Sequence, residues 1–305
     1  MWVAPGIHPT NIDLLNKLKT AEDRQFTSNM RVTGKVIEED REEREKGESH
    51  ILGIRSDIWR PSKKERQRAL AAVQKRRVTD HRTDIKSKGR LTKEEKAELE
   101  KRLQDDELMA LNENDVDKSR LVIKMFRSTG KRIDWKGTLE ELSVTEIHNS
   151  IGSRRPLATY AVILSGYDYM IQIQQNRRIW RIPPVFSFAY YDEKNDHMWY
   201  IDLKCYWVSL GIDYSIEAQG RKIGKIDGRL FALGTDSVVH IYEPSLAEDQ
   251  KFQDLLSLFS ASIGFQRRVR ENIKRRLQGI RKGNSLHVVE DEELWLLRNP
   301  RRIAR

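Results

Sequence analysis

The sequence predicts a mainly β fold with some helix: an antiparallel β-barrel or sandwich around a buried hydrophobic C-terminal helix. An extended, partly helical charged arm precedes it. Three observations carry this expectation. Short runs rich in β-branched and aromatic residues recur between Leu121 and Ile241, most of them bounded by Gly, Asn, Asp or Pro. Little helical periodicity separates them, which favours antiparallel pairing over crossover connections. A charge-free stretch, Leu255 to Phe265, is apolar on every side of a helix, and such a helix is buried all round.

The strands are expected at Leu121–Phe126, Ala161–Leu164, Tyr169–Ile173, Val185–Phe188, Met198–Ile201, Tyr214–Ile216 and Val238–Ile241. Thr138-Leu139-Glu140-Glu141 reads as a capping box opening a helix that reaches Ile147. Ser209-Leu210-Gly211-Ile212-Asp213 returns as Ala232-Leu233-Gly234-Thr235-Asp236, 23 residues on. Both copies lead into a strand, with a hairpin signal at Gln219-Gly220-Arg221 between them. From Leu246 to about Gly279 the chain reads as one long helix or two abutting ones. Its hydrophobic eleven residues span about 16 Å, far short of a bilayer.

Three segments follow from composition: an arm over 1–118, a β-rich domain with buried helix and basic extension over 119–282, and a tail over 283–305. Residues 19–118 hold only 27 apolar side chains, too few for a core that offsets chain entropy. Charge there runs in blocks: seven acids and three bases from Glu38 to Glu48, then at least eleven bases from Arg55 to Arg90. Helices are expected at Asn11–Leu18, from Pro61 to Arg77, and behind a second capping box, Thr92-Lys93-Glu94-Glu95. The tail couples Glu290-Asp291-Glu292-Glu293 to Leu294-Trp295-Leu296-Leu297, a docking peptide for a partner groove or a segment that folds back on the basic helix.

The whole chain of 305 residues carries 56 Lys and Arg against 46 Asp and Glu, a net charge of +10. That balance favours anionic partners: an acidic protein surface, anionic lipid or RNA. One cysteine, Cys205, excludes an internal disulfide framework and a Cys-built zinc site, and fits a reducing, cytoplasmic setting. No run approaches a membrane span, and Met1–Pro5 does not open a signal peptide.

The lines Trp207–Ile216 (WVSLGIDYSI) and Gly220–Gly234 (GRKIGKIDGRLFALG), followed by the helix through Leu255 and Phe265, resemble the tubby-like superfamily. That group includes tubby C-terminal domains, LURP-one-related proteins and phospholipid scramblases. The likeness covers about residues 157–265. It implies a closed barrel around a central hydrophobic helix, a phosphoinositide-binding, membrane-binding or scaffold role, and no settled enzyme activity. The acidic calcium segment of scramblases is not recognisable here, so calcium binding and lipid scrambling are not expected.

No catalytic constellation, cofactor site or metal site is expected. The histidines, His8, His50, His81, His148, His197, His240 and His287, show no H-x-x-x-H spacing. Asp196-His197 sits in turn-like composition, Cys205 in strand-like sequence, and Gly220, Gly224 and Gly228 fit hairpin turns better than a phosphate loop. Candidate anion-binding residues are the hairpin bases Arg221, Lys222, Lys225 and Arg229, and the helical bases Arg267, Arg268, Arg270, Lys274, Arg275 and Arg276. Strict alternation sets Arg221, Ile223 and Lys225 on one face and Lys222, Gly224 and Ile226 on the other. The helical bases surround a stripe of Val269, Ile273, Leu277 and Ile280. The expected role is a non-enzymatic scaffold, a structural component of a large assembly, ribonucleoprotein or cytoskeletal. Phosphoinositide or anionic-membrane binding is the first alternative and nucleic-acid backbone binding the second.

Overall fold

The computed structural model describes residues 1–4, 32–37, 50–55, 120–129, 132–177, 183–206, 212–228, 236–283 and 293. They form twelve strands: β1 (Trp2–Ala4), β2 (Val32–Ile37), β3 (His50–Arg55), β4 (Val122–Thr129), β5 (Arg132–Glu141), β6 (Thr159–Leu164), β7 (Ile171–Gln175), β8 (Val185–Asp192), β9 (His197–Cys205), β10 (Tyr214–Ala218), β11 (Arg221–Gly228) and β12 (Ser237–Ile241). Helix α1 (Ser143–Ser150) lies between β5 and β6. After β12 come α2 (Pro244–Ala247), α3 (Gln250–Ser262), a single 3-10 turn (Ile263–Phe265) and α4 (Gln266–Arg281).

The fold is mainly β and antiparallel throughout, as the sequence predicts. Strands β3 to β12 form a continuous ten-strand ladder in which each strand pairs with its neighbour in sequence. β2 adds beside β3, and the three-residue β1 pairs with both β2 and β12. The strand order thereby returns to its start as a closed barrel, with β1 the connecting piece. β7 shows the plainest pattern, Ile-Gln-Ile-Gln-Gln, with its isoleucines buried and Gln172 and Gln174 exposed. β6 is buried on both faces. Its outward Ala161 and Ile163 pack with Leu142 under Trp135 and Met170.

α3 fills the interior. Asp249 caps it by accepting a hydrogen bond from the Lys251 amide at 3.0 Å, and also accepts the Tyr190 hydroxyl. From Asp254 to Ser262 every residue is buried. The helix packs against β1, β4, β5, β6 and β12, and Phe259 sets its ring edge-on to Phe186 of β8 and Tyr214 of β10. The all-round apolar character read from Leu255 to Phe265 matches burial as far as Ile263, whereas Gly264 is exposed and Phe265 half-buried.

Several expectations are corrected. Thr138 and Glu141 do not cap a helix, because β5 runs through Glu141 and α1 starts at Ser143. The arm drawn over 1–118 gives three strands to the sheet, so Met1–Asp57 belong to one compact unit with Ser119–Arg305. Those strands escape composition because each is six residues or fewer, and β2 and β3 lie between charge-rich flanks. The helices expected at 11–18, 61–77 and from 92 onward lie outside the described residues, as do 207–211 and 229–235 of the repeat.

Candidate anion-binding surface

α4 follows the 3-10 turn, in which Gly264 is exposed, and starts at the buried Gln266. Its buried face is Gln266, Val269, Asn272, Ile273, Arg276 and Gly279, so the inward stripe holds polar groups that the sequence stripe omits. Leu277 lies at its edge and Ile280 is 38% exposed. The opposite arc presents bases. Arg267, almost fully exposed, pairs with Glu271 at 3.2 Å, and Lys274 is exposed. Arg275 donates to Asn272 Oδ1 at 2.8 Å, and the half-buried Arg270 donates Nε to the Gln266 carbonyl. Arg268, Arg281 and Lys282 are exposed too.

Arg276 is the exception. Its guanidinium is wholly buried, with Nη1 2.6 Å from Glu141 Oε1 and 3.1 Å from Glu146 Oε2. It is therefore not presented to an external anion, a correction to its place among the surface bases. Position 276 lies three residues after Ile273 and seven after Val269, on the inward stripe, and helical spacing alone could have shown it. Glu141 also accepts the Leu121 amide and Glu146 the Thr159 amide. Burial, and then the Glu141 charge, hold the Glu146 carboxyl well above the usual range despite the guanidinium. Burial, followed by the two carboxylates, also pushes up the Tyr160 phenol, whose oxygen has no hydrogen-bond partner among the described residues.

The hairpin bases stand on β11. Gln219 and Gly220 both have positive φ, 51° and 76°, and join Ala218 to Arg221 in a two-residue turn of the primed type. Register then shifts: Ile216 faces Gly224, whereas Glu217 faces Lys222. This bulge breaks alternation, so Ile223 and Ile226 both enter the core while Lys222 and Lys225 both stay outside. The expected sharing of faces between Lys222 and Ile226 is thus corrected. Gly224 and Gly228 are strand residues, not turns. A β-carbon on Gly224 would lie 2.5 Å from the His240 carbonyl, and one on Gly228 would meet the Ile212 backbone at 2.9 Å.

Lys222 donates to the Tyr206 hydroxyl at 3.0 Å, with its ammonium 5.8 Å from the Tyr206 ring centre and 6.0 Å from that of Tyr242. That hydrogen bond is the main reason its pKa is raised. Arg221 pairs with Glu243 and Lys225 with Asp227, both at 3.1 Å. Arg229 lies outside the described residues.

A cleft of about 460 Å³ opens beside this hairpin, on the outer face of β7 to β10. Cross-strand register places Gln174, Ser187, Asp202, Glu217 and Lys222 in one row. Ser187 donates to Asp202, and Lys204 pairs with Glu217, whose carboxyl it holds below the usual range. Sequence reading missed this row because its members come from five strands, and register is invisible before pairing is known. Cys205 is half-buried, its thiol pushed up by burial and then by Asp213. Among the described residues no three His, Cys, Asp or Glu side chains gather closely enough to hold a metal ion. No described helix is long and apolar enough to cross a membrane.

No family model, curated protein or solved structure matches this chain.

Proposed function

We propose that the chain is a non-enzymatic scaffold in a large assembly, a tubby-like barrel around a central helix that offers the basic face of α4 to an acidic partner. The observation that carries this reading is the division of labour among the α4 bases. Arg276 ties the helix to β5 and α1 through two carboxylates, while Arg267, Arg268, Lys274 and Arg275 lie on the outer side. A helix fixed from within presents its charges at set spacing, which lowers the ordering cost of binding. A second reading, attachment to an anionic membrane, is favoured by Lys222 between two exposed tyrosines, a cation beside amphipathic rings that suit a lipid interface.

The test is co-sedimentation of full-length protein and a quadruple variant, R267E/R268E/K274E/R275E, with phosphoinositide liposomes, RNA and cell extract at two salt concentrations. The scaffold reading expects a defined protein complex from extract that the variant fails to recover, with little uptake on liposomes. Pelleting with anionic liposomes that K222A abolishes replaces it with the membrane reading. Uptake on RNA with a steep salt dependence rejects both.

A further inference from the structure

Helix α1 begins without the usual cap. Leu142 stands at its N-cap, an aliphatic side chain with no acceptor, packed in the small apolar cluster with Ala161 and Ile163. Polar residues are strongly preferred there, since the first-turn amides have no partner inside the helix. The missing acceptor comes from almost 150 residues away. Glu293 Oε2 accepts the Val144 amide at 2.8 Å, and Oε1 accepts the Thr145 amide at 2.9 Å and the Thr145 hydroxyl at 2.7 Å. The Glu293 side chain is buried, and its partners among the described residues are all donors of α1, none of them a cation. A second polar group marks the same place: the Ser143 hydroxyl, on the first helical residue, is buried with no partner among the described residues. Buried hydroxyls are ordinarily paired, so the seat has capacity for a further acceptor.

We propose that the start of α1 is a docking seat for an acidic peptide, and that its resident occupant is the chain's own tail, held there through Glu293. Two amides and a hydroxyl converge on one carboxylate, and the positive end of the helix dipole favours an anion at that point. The sequence around the docked residue, Glu290-Asp291-Glu292-Glu293-Leu294-Trp295-Leu296-Leu297, joins acids to an apolar tetrad, the chemistry of a peptide that enters a polar seat beside apolar surface. Nine residues separate Glu293 from Gly283 at the end of the described α4 segment, so the tail reaches the seat as a tethered ligand at high effective concentration. A free acidic peptide therefore competes poorly until the tether's carboxylate is removed.

The experiment uses full-length protein and full-length E293Q with a fluorescein-labelled peptide of residues 286–299, in wild-type and E293Q forms. Anisotropy is expected to show the wild-type peptide binding the E293Q chain at least tenfold more tightly than it binds the wild-type chain. It should also bind that chain at least tenfold more tightly than the E293Q peptide does. Equal affinity of the two peptides, or no binding to the E293Q chain, overturns the proposal. Amide exchange supplies an independent reading on the chains themselves: Val144 and Thr145 should exchange at least tenfold faster in E293Q, with β8 and β9 unchanged. Unaltered exchange at both amides overturns it as well.

Discussion

The Arg276 guanidinium of α4 lies 2.6 Å from the carboxylate of Glu141, 135 residues earlier at the end of β5, and neither side chain reaches solvent. Glu146 of α1 takes the same nitrogen at 3.1 Å, so three elements meet at one buried cation. Each carboxylate also accepts a backbone amide, which holds both oxygens in place when the cation is bound.

Removing the cation leaves the buried carboxyl groups of Glu141 and Glu146 without their partner. R276A is expected to lower stability by about 3–5 kcal/mol, the cost of breaking a buried pair from one side. The triple variant R276M/E141Q/E146Q keeps the oxygens that accept the Leu121 and Thr159 amides and is expected to recover most of that loss. Urea midpoints for the three chains decide the matter; a triple variant no better than R276A contradicts it.

The protonation of Glu146 sets a direction for pH. Its folded carboxyl titrates well above the unfolded value of 4.5 because burial and Glu141 oppose the charge. The folded state thus holds a proton that the unfolded chain releases, and this contribution is complete below about pH 4.5 and fades as pH rises through the folded pKa. Urea midpoints of the wild type are expected to fall more steeply than those of E146Q from pH 4.5 upward. Parallel profiles would remove Glu146 as the source.

Two glycines of one hairpin should respond unequally. G224A drives a β-carbon to 2.5 Å from the His240 carbonyl, a backbone atom that cannot rotate away, and costs about 3 kcal/mol. G220A keeps open space but strains a residue at φ 76°, costing about 1 kcal/mol. Thermal melts of both variants rank them, and the reverse order would mean that β11 shifts to relieve the clash.

Phe259 sets its ring against Phe186 of β8 and Tyr214 of β10, beside the contact of Phe252 with Tyr190. F259A opens a cavity in a filled interior and is expected to cost about 3–5 kcal/mol. A loss below about 1 kcal/mol in denaturant unfolding would show that the barrel collapses onto the gap.

What could be read from sequence follows from what local pattern encodes. Ile171 to Gln175 alternates, and Leu255 to Ser262 is apolar or small on all sides, so strand and buried helix declare themselves residue by residue. Thr138 to Glu141 misleads because a capping box uses only four residue types, and the same letters serve in a strand whose last carboxylate turns inward to Arg276. The bulge at Ile216 and Glu217 depends on a pairing partner, and with it the outward position of Lys222. The row from Gln174 to Lys222 and the reach of Glu293 to α1 are relations across the chain, which no local pattern carries.

α3 follows all twelve strands in sequence, yet it is the element that fills the space between them. On a ribosome the inner faces of β4 to β12 emerge first and wait, for on the order of ten seconds at ordinary elongation rates, until Leu255 to Ile263 are made. During that interval Phe186, Tyr190 and Tyr214 have lost water's tolerance without gaining Phe252 or Phe259. A ribosome stalled before Phe252 is thus expected to display an open, sticky sheet.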